Sequence, residues 1–180
     1  MTDQPPALLF IPAGFQARPD PVLTRQALSD LGILGQALTE PDFYSVGDGF
    51  IDHVSFLGCS PHLKLEPEQG DRPGDTSFIH VSLQNMPGEL THRHGRNARP
   101  PLCPHCRKPA ASLENISATF TCPHCKASTD PVDMAWRDGE LVARDVIEII
   151  GIYPREAVPT EHFMAELNRR TRLSWRYVYL

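Results

Sequence analysis

Long apolar runs are missing from this chain of 180 residues. No stretch of 18 apolar residues occurs, so we expect no membrane-spanning helix. The first ten residues place no basic side chain before their short apolar run, so we expect no secretory signal. Only five cysteines occur, and four of them form two close pairs, which fits a reducing compartment. Together these absences predict a cytoplasmic protein that does not act at a membrane.

Common catalytic motifs are missing as well. The chain has no glycine-rich loop of the kind that cradles phosphate, no serine nucleophile elbow and no zincin helix. Its carboxylates do not follow the spacing of a calcium-binding EF-hand loop. This lack of motifs favours a non-enzymatic protein.

A strong positive charge is missing overall but present locally. The net charge is −5, which argues against a protein dedicated to nucleic-acid binding. Residues 91–129, however, contain six basic residues and a single acidic one, Glu114. The basic residues of this segment are candidate contacts for nucleic-acid phosphates: Arg93, Arg96, Arg99, Arg107, Lys108 and Lys126.

The sequence Cys-Pro-His-Cys occurs twice. Cys103 and Cys106 form the first pair, Cys122 and Cys125 form the second, and fifteen residues separate the pairs. Two residues between cysteines allow a tight turn to bring both sulfurs to one ion, and Zn²⁺ accepts four thiolates in a tetrahedron. Four thiolates leave no coordination position for water. The spacing therefore predicts one zinc ion with a structural rather than a catalytic role.

Residues 101–129 resemble a zinc ribbon, a small hairpin module tied together by its metal. The β-forming residues 117–121 lead into the second pair of cysteines, as the resemblance implies. Many zinc ribbons carry glycine directly after the second cysteine of each turn. Arg107 and Lys126 stand at those places here, which predicts less regular turns.

A redox function is the alternative for the same cysteines. Cys-Pro-His-Cys also resembles the active-site motif of thiol oxidants of the thioredoxin superfamily. That motif needs its first cysteine at the N-terminus of a helix, where the dipole lowers the thiol pKa. Neither pair is followed by a helical pattern, since a proline comes soon after each, at Pro109 and Pro131. The sequence therefore favours one shared metal ion.

Apolar runs and alternation predict five strands and two helices in the rest of the chain. The strands cover residues 7–12, 50–57, 77–83, 146–153 and 174–180, and the helices cover residues 22–38 and 160–171. Gly32 and Gly35 weaken the second half of the first helix and are candidate positions for an earlier end. Thr160 is the predicted N-cap of the second helix.

Two antiparallel pairings are also predicted. Strand 77–83 is expected to pair with strand 50–57. Residues 132–136 and 140–144 are expected to form a hairpin around the turn Arg137-Asp138-Gly139.

These elements predict an α+β fold, with a mostly antiparallel sheet, two helices on one face and an inserted zinc ribbon. Residues 1–90 and 131–180 would form the body, in two halves that each resemble β-α-β. Residues 91–130 would form the inserted module with its basic linker.

Three functions are consistent with these patterns. The leading hypothesis is a non-enzymatic zinc-binding protein, whose ribbon serves as a rigid surface for a protein partner. The first alternative is nucleic-acid binding through the six basic residues of the insert. The second is an enzyme whose site lies on the body around Cys59, the unpaired fifth cysteine, together with His53 and His80.

Overall fold

A computed structural model describes residues 4–14, 16–58, 63–95, 98–110 and 116–180 of the protein. Its elements up to the first Cys-Pro-His-Cys turn are β1 (Ala7–Pro12), α1 (Pro21–Asp30), β2 (Leu34–Ala37), β3 (Phe43–Val46), α2 (Phe50–His53), β4 (Val54–Phe56), β5 (His80–Ser82) and β6 (Thr91–His94). The later elements are β7 (Phe120–Thr121), β8 (Ser128–Thr129), a 3₁₀ turn (Pro131–Asp133), β9 (Glu140–Ala143), β10 (Ile147–Ile150), β11 (Ala157–Pro159), α3 (Glu161–Thr171) and β12 (Trp175–Tyr179).

A six-stranded sheet organises the protein. Its strand order is β12-β1-β10-β5-β3-β2, and every neighbouring pair is antiparallel. All six residues of β1 are buried, because this apolar strand lies between β12 and β10 and both of its faces are covered. The predicted α+β class with a mostly antiparallel sheet is confirmed.

The two longer helices cover one face of the sheet. Leu8 and Phe10 of β1 contact a core that includes Leu28 of α1 and Phe163 of α3. The rings of Phe10 and Phe163 meet edge to face, with 5.4 Å between their centroids. The Thr160 hydroxyl accepts a hydrogen bond from the Phe163 N–H, which confirms the predicted N-cap of α3.

A second apolar cluster covers the opposite face of the sheet. Alternation along β1 turns Leu9 and Ile11 toward this face, where they meet Met134, Trp136 and Leu141. Ile116 and Phe120, from the segment between the two cysteine pairs, are partly buried against the same cluster. The cysteine-bearing segment is therefore packed on the face that the helices leave free.

The first predicted helix, over residues 22–38, is too long. Helix α1 ends at Asp30, and Leu34–Ala37 is an edge strand of the sheet. Gly32 follows the helix with φ +67°, and a Cβ at this position would lie 2.7 Å from the Gly49 N atom. The helix ends early because the chain turns at a position that only glycine fills without strain.

The predicted pairing of strand 77–83 with strand 50–57 is wrong. Phe50–His53 is a short helix, and Val54–Phe56 pairs with β11 instead. His80–Ser82 pairs with β3 on one side and β10 on the other. Alternating residues indicated that strands occur here, but they could not indicate which strands pair.

The predicted hairpin around residues 137–139 is also wrong. The turn itself forms, with the Glu140 N–H donating to the Arg137 carbonyl. Strand β9 after the turn pairs with β6, which lies in the stretch predicted to be a linker.

The division into a body and an insert at residues 91–130 stays a prediction. Among the described residues, no helix is long and apolar enough to cross a bilayer.

Candidate metal centre

Two backbone turns of the same geometry carry the four cysteines. In the first, the Arg107 N–H donates to the Cys103 carbonyl at 2.8 Å, and the Cys103 N–H donates to the Lys108 carbonyl at 2.9 Å. The second turn repeats both bonds nineteen positions later, from Lys126 to Cys122 and from Cys122 to Ala127, each at 2.9 Å. The repeated sequence therefore folds into a repeated structure.

The four sulfur atoms come together between these turns. Cys103 Sγ lies 3.7 Å from Cys125 Sγ, and Cys106 Sγ lies 3.7 Å from Cys122 Sγ. All four sulfurs lie within 4.8 Å of one another, and all four cysteines are free. A tetrahedron with metal–sulfur bonds of about 2.3 Å has edges of about 3.8 Å. The four cysteines are thus positioned to bind one metal ion.

The site is buried on one side and open on the other. The side chains of Cys103 and Cys122 are buried, Cys106 is partly buried and Cys125 is exposed. The first cysteine of each turn therefore faces the protein, and the second lies nearer the solvent. All four candidate ligands come from this chain, so a bound ion would have a closed set of sulfur ligands.

The residues after each pair of cysteines take a left-handed backbone conformation. Arg107 has φ +61° and Lys126 has φ +63°. Glycine adopts this conformation without strain, whereas other residues cost about 1–2 kcal/mol there. The prediction that Arg107 and Lys126 make the turns less regular is wrong. Both residues adopt the left-handed conformation despite its cost, and the two turns form the same hydrogen bonds.

Local interactions shift the pKa values of two of the four thiols in opposite directions. The backbone N–H groups of Cys125 and then His124 lower the pKa of Cys122 to about 6, which favours its thiolate form. The Ala127 N–H acts to lower the pKa of Cys125, but burial and the neighbouring thiols outweigh it and raise the pKa to about 11. A second thiolate is unfavourable beside the first unless a cation neutralises them. The charge balance of the cluster thus suits a bound cation.

Several bonds hold the first turn against the body. Leu102 and Ala135 exchange two backbone hydrogen bonds at 3.0 Å, and the Arg137 guanidinium donates to the Pro100 carbonyl at 2.7 and 3.1 Å. Ala110, just after this turn, is buried in the second apolar cluster. The candidate metal centre is therefore attached to the sheet through its first turn.

The structure separates the six basic residues predicted to contact phosphate. Arg99, Arg107, Lys108 and Lys126 are exposed, and Arg96 lies outside the described residues. Arg93 is buried in β6 and forms an ion pair with Glu148 of β10. Nucleic-acid binding by this set stays a prediction. Four of the six residues are exposed and accessible to phosphate.

The residues proposed for a catalytic site on the body are only partly described. Cys59 lies outside the described residues. His80 is buried with both ring nitrogens engaged: Nε2 accepts from the Gly74 N–H at 2.9 Å, which leaves Nδ1 to donate to the Phe78 carbonyl at 3.0 Å. Burial lowers the pKa of His80, as expected for a neutral ring. His53 stacks on His162 with 5.8 Å between ring centroids.

No known protein family, curated protein or solved structure matches this chain. The functional argument therefore depends on the geometry of its own side chains.

Proposed function

We propose that this chain is a non-enzymatic zinc-binding protein with one structural ion held by Cys103, Cys106, Cys122 and Cys125. The observation that carries the proposal is the cluster of four sulfurs within 4.8 Å of one another. Four thiolates are the donor set that favours zinc among common biological cations. Reduced thiolates of this kind also fit the cytoplasm, where we place the protein.

The role of the ion would be to fix the two turns to each other. The hairpin that carries the second turn contains only two short strands, with Phe120 opposite Thr129 and Thr121 opposite Ser128. Such a small hairpin is marginally stable without further support. A zinc ion bridging it to the first turn, which is anchored on Ala135 and Pro100, would hold both as one rigid surface.

The purified protein is expected to contain one zinc ion per chain. Native mass spectrometry would show the mass of one zinc together with the loss of the protons that the thiols release on binding. Cobalt substituted for zinc should give the absorption of a tetrahedral thiolate complex. Cys59→Ser should keep the full metal content, since Cys59 lies outside both pairs. A metal-free chain in which the four sulfurs form two disulfides would disprove the site.

We infer that the exposed tips of the two turns form a recognition surface. His105, His124, Arg107, Lys108 and Lys126 are all exposed there. A closed thiolate site leaves the ion without a position for substrate, so the surface around it is the part available for contacts. A protein partner is the leading expectation, and nucleic acid is the alternative because three of these exposed side chains, Arg107, Lys108 and Lys126, are cationic.

The variant Arg107→Gly/Lys126→Gly distinguishes the two partners. It removes two cations while suiting the left-handed backbone, so the turns should be kept. If nucleic acid binds here, the plot of log affinity against log salt concentration should become less steep. The magnitude of its negative slope should fall by about 1.4 for a single strand or about 1.8 for a duplex. Fluorescence anisotropy with labelled RNA and DNA at several salt concentrations would measure this change.

Arg172→Gly is the matched control for this variant. Arg172 is also exposed and left-handed, with φ +57°, but it lies at the end of α3. This control should keep the wild-type salt slope. The absence of salt-dependent binding to either nucleic acid in the wild type would eliminate the alternative. A partner that survives nuclease treatment and needs the tip residues would then support the protein-binding function.

A further inference from the structure

A cleft of about 790 Å³ lies at the end of the six-stranded sheet, apart from the four cysteines. Its walls are residues 4–6, the turn at residues 137–139 and the loop at residues 153–155. Backbone hydrogen bonds fix these walls: the Gly151 N–H donates to the Pro6 carbonyl at 2.9 Å, and the Gly139 N–H donates to the Tyr179 carbonyl at 2.6 Å. The cleft is therefore formed by segments that the sheet holds in place.

Cationic side chains predominate along this cleft. Among the described residues, Arg99, Arg137 and Arg155 line it, and the one acidic side chain of the lining is that of Asp138. Arg155 Nε lies 3.9 Å from Asp138 Oδ2, and both side chains are well exposed, so this ion pair neutralises little charge. Three guanidinium groups in one concavity favour an anion with several oxygen acceptors, such as a phosphate group.

One of the three arginines is held in a fixed orientation. Arg137 donates from both Nε and Nη2 to the Pro100 carbonyl, which sets the plane of its guanidinium. Arg99 has no carboxylate partner among the residues that the structure describes. A fixed arginine beside two available ones resembles a preorganised site more than a group of freely solvated side chains.

The cleft also offers a flat apolar surface. The Tyr153 side chain is 57% exposed, an unusual exposure for a large aromatic group, and it lines the cleft next to Pro154. An exposed tyrosine beside arginines is suited to stack a planar ring whose phosphates bind the guanidinium groups. The cleft volume falls within the range of about 300–1,000 Å³ typical of small-ligand sites.

We propose that this cleft binds a nucleotide, with its phosphates at Arg99, Arg137 and Arg155 and its base against Tyr153. The concave shape favours a small ligand over a long strand. The site uses none of the cysteines and none of the exposed residues at the tips of the two turns. It shares Arg99 with the set of basic residues predicted to contact nucleic acid.

Isothermal titration calorimetry of the zinc-loaded full chain would test the cleft. The probes are AMP, ADP, ATP and GTP, with inorganic pyrophosphate and adenosine as the two halves of the ligand. We expect saturable binding of at least one nucleotide and weaker binding of pyrophosphate and of adenosine.

Arg99→Gln and Arg155→Gly should each weaken nucleotide binding at least about tenfold. Arg155 has φ +66°, so glycine should suit its backbone.

Tyr153→Ala and Arg172→Gly complete the set of variants. Tyr153→Ala should weaken nucleotide binding while leaving pyrophosphate binding unchanged, and Tyr153→Phe should restore the wild-type affinity. Arg172→Gly should bind as the wild type does, because it removes an exposed arginine that does not line the cleft. Circular dichroism would confirm that each variant is folded.

Three results would overturn the proposal. The first is no saturable binding of any nucleotide. The second is pyrophosphate binding as tight as that of the nucleotides, with no effect of Tyr153→Ala, which would refute the role of the base. The third is tighter binding of a single-stranded oligonucleotide through the same residues, which would refute a small ligand.

Discussion

Cys103→Ser is expected to lower the zinc affinity of the protein by more than about 100-fold. Cys103 is buried and supplies one of only four candidate ligands, and even changes to residues behind a metal ligand cost about 10–100-fold in affinity. Competition with a chromophoric chelator would measure the affinity. Retention of wild-type affinity by Cys103→Ser would show that this sulfur is not a ligand.

The structural consequence of Cys103→Ser should be local. Residues 98–110 and 116–130 should lose protection from amide hydrogen exchange, whereas β1, β10 and β12 should keep theirs, since these strands contain no cysteine. A chelator should lower the melting temperature of the wild type but leave that of Cys103→Ser unchanged, because under the proposed function only the wild type holds a tightly bound metal. Cys59→Ser is the control and should respond to the chelator as the wild type does.

Some features of this protein could be predicted because they depend on residues close together in the sequence. The grouping of the four cysteines follows from two turns that each span four residues and repeat nineteen positions apart. The Thr160 N-cap likewise depends on a contact only three residues long. The apolar run of residues 7–12 predicted a strand, and that strand lies between two neighbours in the sheet.

Other features depend on contacts between distant residues and could not be predicted in this way. The low helix propensity of Gly32 indicated that α1 could end early, but it could not indicate the close contact of this turn with Gly49. Strand β6 has a polar sequence, Thr-His-Arg-His, and forms only because β9 lies beside it. The arginines of the cleft come from three separate segments, so no motif connects them.

The ion pair between Arg93 and Glu148 shows how such a contact changes the interpretation of a residue. Fifty-five residues separate the two, and the sequence presents Arg93 as one more cation of a basic segment. In the structure the Arg93 side chain is 7% exposed and that of Glu148 is 12% exposed. The Asn85 side chain also donates to Glu148, at 2.7 Å. Arg93 therefore fastens β6 to the central sheet.

Arg93→Met is expected to destabilise the protein by about 3–5 kcal/mol, because it leaves the largely buried Glu148 carboxylate with only the Asn85 amide as a partner. For a chain of this length the melting temperature should fall by roughly 6–20 °C. Urea denaturation followed by circular dichroism would measure the free energy of unfolding. Arg25→Met is the control: Arg25 pairs with Asp42 at the surface, where loss of an ion pair costs up to about 1 kcal/mol.

The double variant Arg93→Met/Glu148→Leu decides whether the cost comes from the unpaired charge. Removing both charges should restore most of the stability lost in Arg93→Met, since apolar side chains often replace a buried ion pair without loss. A double variant as unstable as Arg93→Met would instead assign the cost to lost packing around the arginine.

Because Arg93→Met weakens the fold, a loss of nucleic-acid binding in this variant would not identify Arg93 as a phosphate contact. Among the basic residues that the structure describes, the exposed Arg99, Arg107, Lys108 and Lys126 can test that function.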